Sequence, residues 1–267
     1  MSDLLVPKRL NIESIFGCNA QCTMCNIDAK TSRKKGAMRM ETFRRVIDDL
    51  VPYVNQIETM DLWGLGEPLL DPHIFERIRY AKERNFRRIA ISTNADPLRG
   101  EKQDELLESK IDTVIFSIDG ATAKVHESIR KGTNFDRVVR NCEEMVEKRN
   151  RGNYATRFVL RFIRQNANRH EWNDYMHHWL PCFSKSRKDQ IICHDMHDWS
   201  GDIPNEELHL QLLVRDPVID EAPCRYVFDT LYIMVNGDVV LCAQDWLRAS
   251  CQLAMSIKRR RLRFLIA

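Results

Sequence analysis

A chain of 267 residues is long enough for one large domain with an appendage, and its 10 glycines and 9 prolines among recurring apolar residues exclude low-complexity disorder. Lys and Arg (41) nearly balance Asp and Glu (38), and Lys258, Arg259, Arg260, Arg261 and Arg263 crowd the end, so the near-neutral body gives no support for nucleic acid or an anionic membrane as main partner. Nine cysteines, no N-terminal signal segment and no run long enough to span a bilayer exclude a secreted, disulfide-stapled domain and predict a cytoplasmic protein whose thiols bind metal, serve redox chemistry or fill the core.

Residues 10–16 predict a first strand running into a cysteine-rich loop. A helix follows over 41–54, with Phe43, Val46, Ile47 and Leu50 on one face. The pattern continues with a strand at 57–63, a helix at 73–84, a strand at 88–93, a helix at 101–109 and a strand at 113–118. The next helix is the clearest, with Phe135, Val138, Val139, Cys142, Met145 and Val146 at helical spacing. A strand at 156–163, a helix at 169–180 and a strand at 190–194 complete six strand-helix units. Such an α/β alternation demands a parallel sheet, either doubly wound or a barrel short of the eight units of a closed one. In both, ligands bind at the carboxyl ends of the strands. From about residue 201 the pattern changes, and two short apolar runs joined by Asn236-Gly237 predict a type I′ hairpin within a second, smaller module.

Cys18, Cys22 and Cys25 fall on one loop directly after the first strand. A structural zinc site closes with four ligands, and a [4Fe–4S] cluster held by protein alone also takes four cysteines, so three leave one iron open. Half a zinc site completed from a distant Cys or His is the competing reading. The C-x3-C-x2-C spacing after the first strand of a βα array resembles the radical S-adenosylmethionine (SAM) superfamily. Gly64-Leu65-Gly66-Glu67-Pro68 is similar to that family's Gly-Gly-Glu segment. By this resemblance the glycines let the backbone approach SAM, and Glu67 accepts its ammonium. Ser92 and Asn94 at the third strand end, and Ser117 and Asp119 at the fourth, resemble positions that line the SAM pocket; Arg130 matches an arginine that pairs with the SAM carboxylate. The resemblance implies a partial (β/α)6 TIM-like barrel over residues 1–200 that binds a [4Fe–4S] cluster and SAM. It further implies a reductant such as flavodoxin or ferredoxin, and SAM cleavage to a 5′-deoxyadenosyl radical that abstracts hydrogen from a peptide or a small sugar-like or aminocyclitol-like molecule. The alternative is a non-catalytic zinc- or cluster-carrying interaction module.

Cys224 and Cys242, with Gly237 between them, resemble the opening of a SPASM or twitch extension, which implies a second, auxiliary [4Fe–4S] cluster in the module at 201–267. After Cys242 only Cys251 remains, so that ligand set is incomplete. Residues 250–267 read as a truncated or frame-shifted end, with a short basic amphipathic helix as the alternative. The remaining groups carry plainer expectations. Cys142 is core, Cys182 and Cys193 have no argued metal role, His177 and His178 are surface or structural, and His194 and His197 are candidates for the pocket wall.

Overall fold

Ile89 to Thr93 is buried at every position, as a strand covered on both faces must be. It is an interior strand of a mostly parallel sheet in a computed structural model that describes residues 6–27, 33–196, 224–240, 242 and 252–256. The main elements are β1 (Arg9–Ile12), α1 (Met40–Leu50), β2 (Thr59–Asp61), α2 (Ile74–Glu83), β3 (Ile89–Thr93), α3 (Glu101–Glu108), β4 (Thr113–Ser117), α4 (Ala123–Ile129), α5 (Phe135–Arg151), β5 (Arg157–Arg164), α6 (Trp172–Trp179), β6 (Gln190–Asp195), α7 (Arg225–Asp229), β7 (Thr230–Ile233), β8 (Asp238–Val240) and β9 (Gln252–Ser256). Strands β1 to β6 lie side by side in chain order and all parallel, which makes the partial (β/α)6 barrel. No helix among the described residues is long and apolar enough to cross a membrane.

The helical periodicity identifies the buried faces. Phe43, Val46, Ile47 and Leu50 of α1 are buried, as are Val138, Cys142, Met145 and Val146 of α5. Helix α1 stops four residues before its predicted end, and Val51–Tyr53 winds into a 3-10 turn, because Pro52 has no N–H to continue the ladder. Helix α4 is an element that the sequence pattern did not separate from α5. Thr122 caps it, accepting from the Val125 N–H, and Asn134 caps α5 by accepting from the Arg137 N–H.

The hairpin forms where expected, but its first strand β7 pairs in parallel with β1 along Arg9↔Thr230 to Ile12↔Ile233. The C-terminal hairpin therefore shares the core sheet, with β8 and then β9 antiparallel beyond it. Its turn is not type I′, which needs positive φ at both central residues. Only Gly237 is left-handed, at φ +86°, while its N–H donates to the Met234 carbonyl and the Met234 N–H to the Asp238 carbonyl. This is a three-residue loop ending on a left-handed glycine. Residues 243–251 and 257–267, including Cys251 and the basic tail, lie outside the described residues, as do His197 and the stretch to 223.

One carboxylate fastens these parts. Glu13, just past β1 and fully buried, accepts from the Leu65 N–H at 3.3 Å and the Val235 N–H at 3.0 Å, and pairs with Arg33. It thus joins the first strand, the loop after β2 and the hairpin turn. Burial pushes its pKa up against the lowering effect of Arg33 and the two amides. Glu13→Ala removes an ion-pair partner of Arg33 and the shared acceptor of two amides, and chemical denaturation should read a loss of about 3 kcal/mol.

Met60 and Leu62 of the second strand region join the helix-side core, so alternation turns Asp61 to the barrel interior. Burial pushes its carboxyl up to about 7, despite Arg9 and Arg161 nearby. Between the ordinary aspartate pKa and 7, the folded chain keeps a proton that the unfolded chain has lost, so this group's contribution to stability falls as pH rises through that window and is flat above it. Against Asp61→Asn, the wild type should lose on the order of 2 kcal/mol from pH 4 to 7 in denaturation midpoints, less than the full shift because water still reaches the carboxyl.

Candidate cluster and cofactor site

The cysteine loop is pinned on two sides. Gly17 bridges in parallel to Gly66, whose neighbour Glu67 donates its N–H to the Gly17 carbonyl at 2.9 Å. On the other side Gln21–Cys22 pairs antiparallel with Arg130–Lys131, and the Thr23 N–H donates to the Ile129 carbonyl. Gly132 takes φ +93°, and a Cβ there would lie 2.8 Å from the Asn19 carbonyl oxygen, so the return after α4 admits no side chain.

Cys18, Cys22 and Cys25 are half-buried and all line one cavity of about 470 Å³ at the carboxyl ends of the strands. Burial pushes the Cys18 thiol up to about 12 and raises that of Cys22, where Arg130 acts in the opposite direction. Among the described residues no three Cys, His, Asp or Glu side chains converge as a single metal ion requires. A cuboidal cluster takes each thiolate on a different iron, so its ligands stand apart around a shared volume, and three thiols on one cavity wall fit that demand.

Gly64, Gly66 and Glu67 line the same cavity, yet the structure supplies a nearer reason for the glycines than approach to a ligand. A Cβ on Gly64 would meet the Glu13 side chain at 2.7 Å, and one on Gly66 would fall 2.3 Å from the Ile15 carbonyl oxygen. Close packing on the end of β1 demands both. Glu67 is fully buried, and its carboxylate accepts from Thr93 Oγ1 at 2.7 Å, the Asn94 N–H at 2.7 Å and the Leu69 N–H at 3.1 Å. Burial raises its pKa against these donors. Both oxygens are already donated to, so the carboxylate expected to receive an ammonium is first a lock between the loops after β2 and β3.

The strand-end residues divide in the same way. Asn94 lines the cavity but spends its amide on the cysteine loop, donating to Asn19 Oδ1 at 2.9 Å and reaching Cys18 Sγ at 3.7 Å. Asp119, expected in the pocket wall, is wholly buried behind it and is not among the cavity-lining residues. It accepts from the Ile163 N–H at 2.6 Å and ion-pairs with Arg130 at 2.7 Å. Burial raises its pKa, opposed mainly by Arg130. Arg130 does face the cavity, held between Asp119 and Cys22 Sγ, which its Nη1 approaches at 3.7 Å. Burial pulls its pKa down, but Asp119, Cys22 and Cys25 outweigh it and the net shift is upward.

Ser92 and Ser117 also face the cavity, with their hydroxyls 3.3 Å apart. Both accept from Nη2 of Arg161, at 2.6 and 2.9 Å. Arg161 was not singled out from the sequence, although a signal existed: a charged residue inside the apolar run Phe158-Val159-Leu160-Arg161-Phe162, on the face opposite the buried phenylalanines. His194 lines the cavity, while Cys182 and Cys193 are half-buried elsewhere, Cys142 is core, and His177 and His178 are exposed. Cys224 stands exposed at the N-cap of α7, the helix that leads into β7, and Cys242 stands exposed two residues past β8. Burial raises the pKa of Tyr232 on β7, and both thiols add to that rise through space.

The sequence pattern of the Radical SAM superfamily matches residues 12–163. The chain is 32% identical over 112 residues to the tungsten-containing aldehyde ferredoxin oxidoreductase cofactor-modifying protein of Pyrococcus furiosus, covering 42% of this chain and 31% of that protein. It is 30% identical over 144 residues to the mycofactocin maturase MftC of Mycobacterium tuberculosis, covering 52% of this chain and 34% of that one. These matches thus span about a third of the length of the curated relatives. Among solved structures, Streptococcus suis SuiB bound to its precursor peptide SuiA superposes with a TM-score of 0.70 at 16% identity, covering 97% of this chain and 64% of SuiB, which is a likeness of fold. With the family pattern running from the end of β1 to the end of β5 across the cysteine loop, the chain belongs to the radical SAM superfamily.

Proposed function

We propose that this chain is the core of an enzyme that holds a [4Fe–4S] cluster through Cys18, Cys22 and Cys25 and binds SAM against it, to abstract a hydrogen atom from a peptide or small-molecule substrate. The observation that carries the reading is that three thiols of one short loop share a cavity with Gly64, Gly66 and Glu67 and with the strand-end serines. When bound, the cluster and SAM supply one-electron cleavage of the sulfonium and hydrogen-atom abstraction.

The chain's own residues hold and shield. Glu67 and Asn94 keep the loops after β2 and β3 in register with the cysteine loop, and Asp119 aims Arg130 at the cavity, where its guanidinium suits a carboxylate. Met24, Ile27, Ile163 and Met196 form apolar parts of the wall and keep water from the reacting atoms. A peptide is the favoured substrate class, because SuiB, which shares the fold, is bound to a precursor peptide. A flavodoxin or ferredoxin is the proposed reductant. Cys224 and Cys242, which both act through space on Tyr232 of β7, are the proposed first ligands of an auxiliary cluster.

Anaerobically reconstituted protein should take up about four irons per chain, or about eight if the auxiliary cluster forms. Dithionite and SAM should then yield 5′-deoxyadenosine, and Cys22→Ala should abolish it. Zinc without iron and sulfide would instead support a non-catalytic metal-carrying module. Asn94→Ala removes a donor facing Cys18 Sγ, and a potentiometric EPR titration should register a lower cluster potential.

A further inference from the structure

Inside the barrel, two buried side-chain atoms of opposite kind lack hydrogen-bond partners among the described residues. Asn11 Oδ1 on β1 is an acceptor without a donor, and Arg161 Nε on β5 is a donor without an acceptor. Leu10 and Ile12 belong to the helix-side core, so alternation turns Asn11 inward, as it turns Asp61 on β2. The parallel register sets Asn11 directly beside Asp61. Paired strands stand about 4.8 Å apart, so in-register side chains on one face come within reach of each other. Asp61 and Arg161 in turn act on one another through space.

A carboxyl group can serve both orphans, though not at once. As the acid it donates through its O–H, and as the carboxylate it only accepts. Protonated Asp61 supplies the donor that Asn11 Oδ1 lacks, and ionised Asp61 supplies the acceptor that Arg161 Nε lacks. Buried polar atoms are costly to leave unpaired, so each protonation state has a partner waiting.

The surroundings bring the two states close in free energy. Burial favours the acid, while Arg9 of β1 and Arg161 favour the carboxylate, and the carboxyl is pushed up to about 7. Arg9 is exposed, with its guanidinium 5.7 Å from the centre of the Tyr226 ring, so water screens it and Arg161 is the buried cation of the pair. On the β3 side Asp61 meets uncharged Ala90 in register, with Ser92 beyond it. On the far side of Asn11 stands Tyr232 of β7, which burial keeps neutral. Besides Asp61, Arg161 feels Arg130 and Asp119, which are paired with each other.

We propose that Asp61 is a positioning residue with two settings: as the acid it donates to Asn11 Oδ1, and as the carboxylate it accepts from Arg161 Nε. The proton passes to or from water, and no other covalent bond changes. Because Nη2 of the same guanidinium holds Ser92 and Ser117, the proton on Asp61 decides whether the cation reaching the cavity is unopposed or is half of an ion pair. This inference goes beyond the function proposed above and does not rest on it.

Infrared titration of the reconstituted protein tests it. With aspartate carrying 13C in its side-chain carboxyl, a carboxylic acid C=O band should shift with the label, vanish in Asp61→Asn and titrate near neutral pH. A guanidinium C–N band, assigned by 15N-arginine and by its loss in Arg161→Lys, should move at the same pH in the wild type and stay fixed in Asp61→Asn. Asn11→Ala removes the acceptor of the acid and Arg161→Met the donor to the carboxylate, so the proton affinity of Asp61 should fall in the first and rise in the second, each about tenfold. A merely structural role would not move the two in opposite directions. The proposal is overturned if no acid band above about pH 5 is removed by Asp61→Asn, if the guanidinium band stays fixed while Asp61 titrates, or if both variants shift the affinity the same way. Asp61→Asn keeps the shape of the acid, so the first two criteria stand even where the other variants fail to fold. None of these readouts requires SAM cleavage, so failure of the enzymatic reading leaves them in place.

Discussion

The organisation of this protein depends on the Glu13 carboxylate at the end of the first strand. A carboxylate buried without donors would protonate or unfold its surroundings, so three separate segments must come to it. They are the Leu65 amide of the glycine loop, the Val235 amide of the hairpin turn, and the guanidinium of Arg33, which also stacks on the Phe16 ring at 4.0 Å. Its aliphatic stem occupies the space that a side chain at position 64 would need. The order of the cysteine loop, the approach of the second loop and the docking of the hairpin thus share one polar anchor.

The same logic repeats across the cavity: buried charges are tied in pairs, and the pairs shape the wall. Asp119 is removed from the cavity and presents Arg130 to it, while His126 holds the turn beneath by accepting the Asp119 N–H and pairing with Thr133. Burial drives the His126 pKa down to about 3, so it serves as a neutral acceptor. Gly120 is glycine because a Cβ would lie 2.7 Å from the His126 backbone nitrogen. Glu67 and Asn94 are locks of the same kind, each spending most of its hydrogen-bonding capacity on neighbouring loops. Against this pattern Arg161 stands apart, with hydroxyls in place of a carboxylate.

Much of the fold was legible because the apolar periods are strong. The helix faces of α1 and α5 and all six parallel strands follow from alternation and helical spacing, with boundaries displaced by a few residues where Pro52 intervenes. Local chemistry was less legible. Asn236-Gly237 announces a turn, but which residues take positive φ depends on how β7 is held beside β1. For Glu67, Asn94 and Asp119, the family resemblance implied contact with a ligand, and the structure turns their polar atoms largely onto protein partners. A sequence pattern records that a carboxylate stands at a strand end; it does not record which amides come within reach.

The sequence by itself determined the parallel α/β order, the three closely spaced thiols and their position after the first strand, because these are properties of local spacing. Only the tertiary structure decided that the hairpin joins the core sheet, that Glu13 binds three segments, and that Arg161 reaches the cavity on two serine hydroxyls. Each of those depends on contacts between residues far apart in the chain, where burial turns hydrogen-bond satisfaction into a constraint that no local pattern can carry.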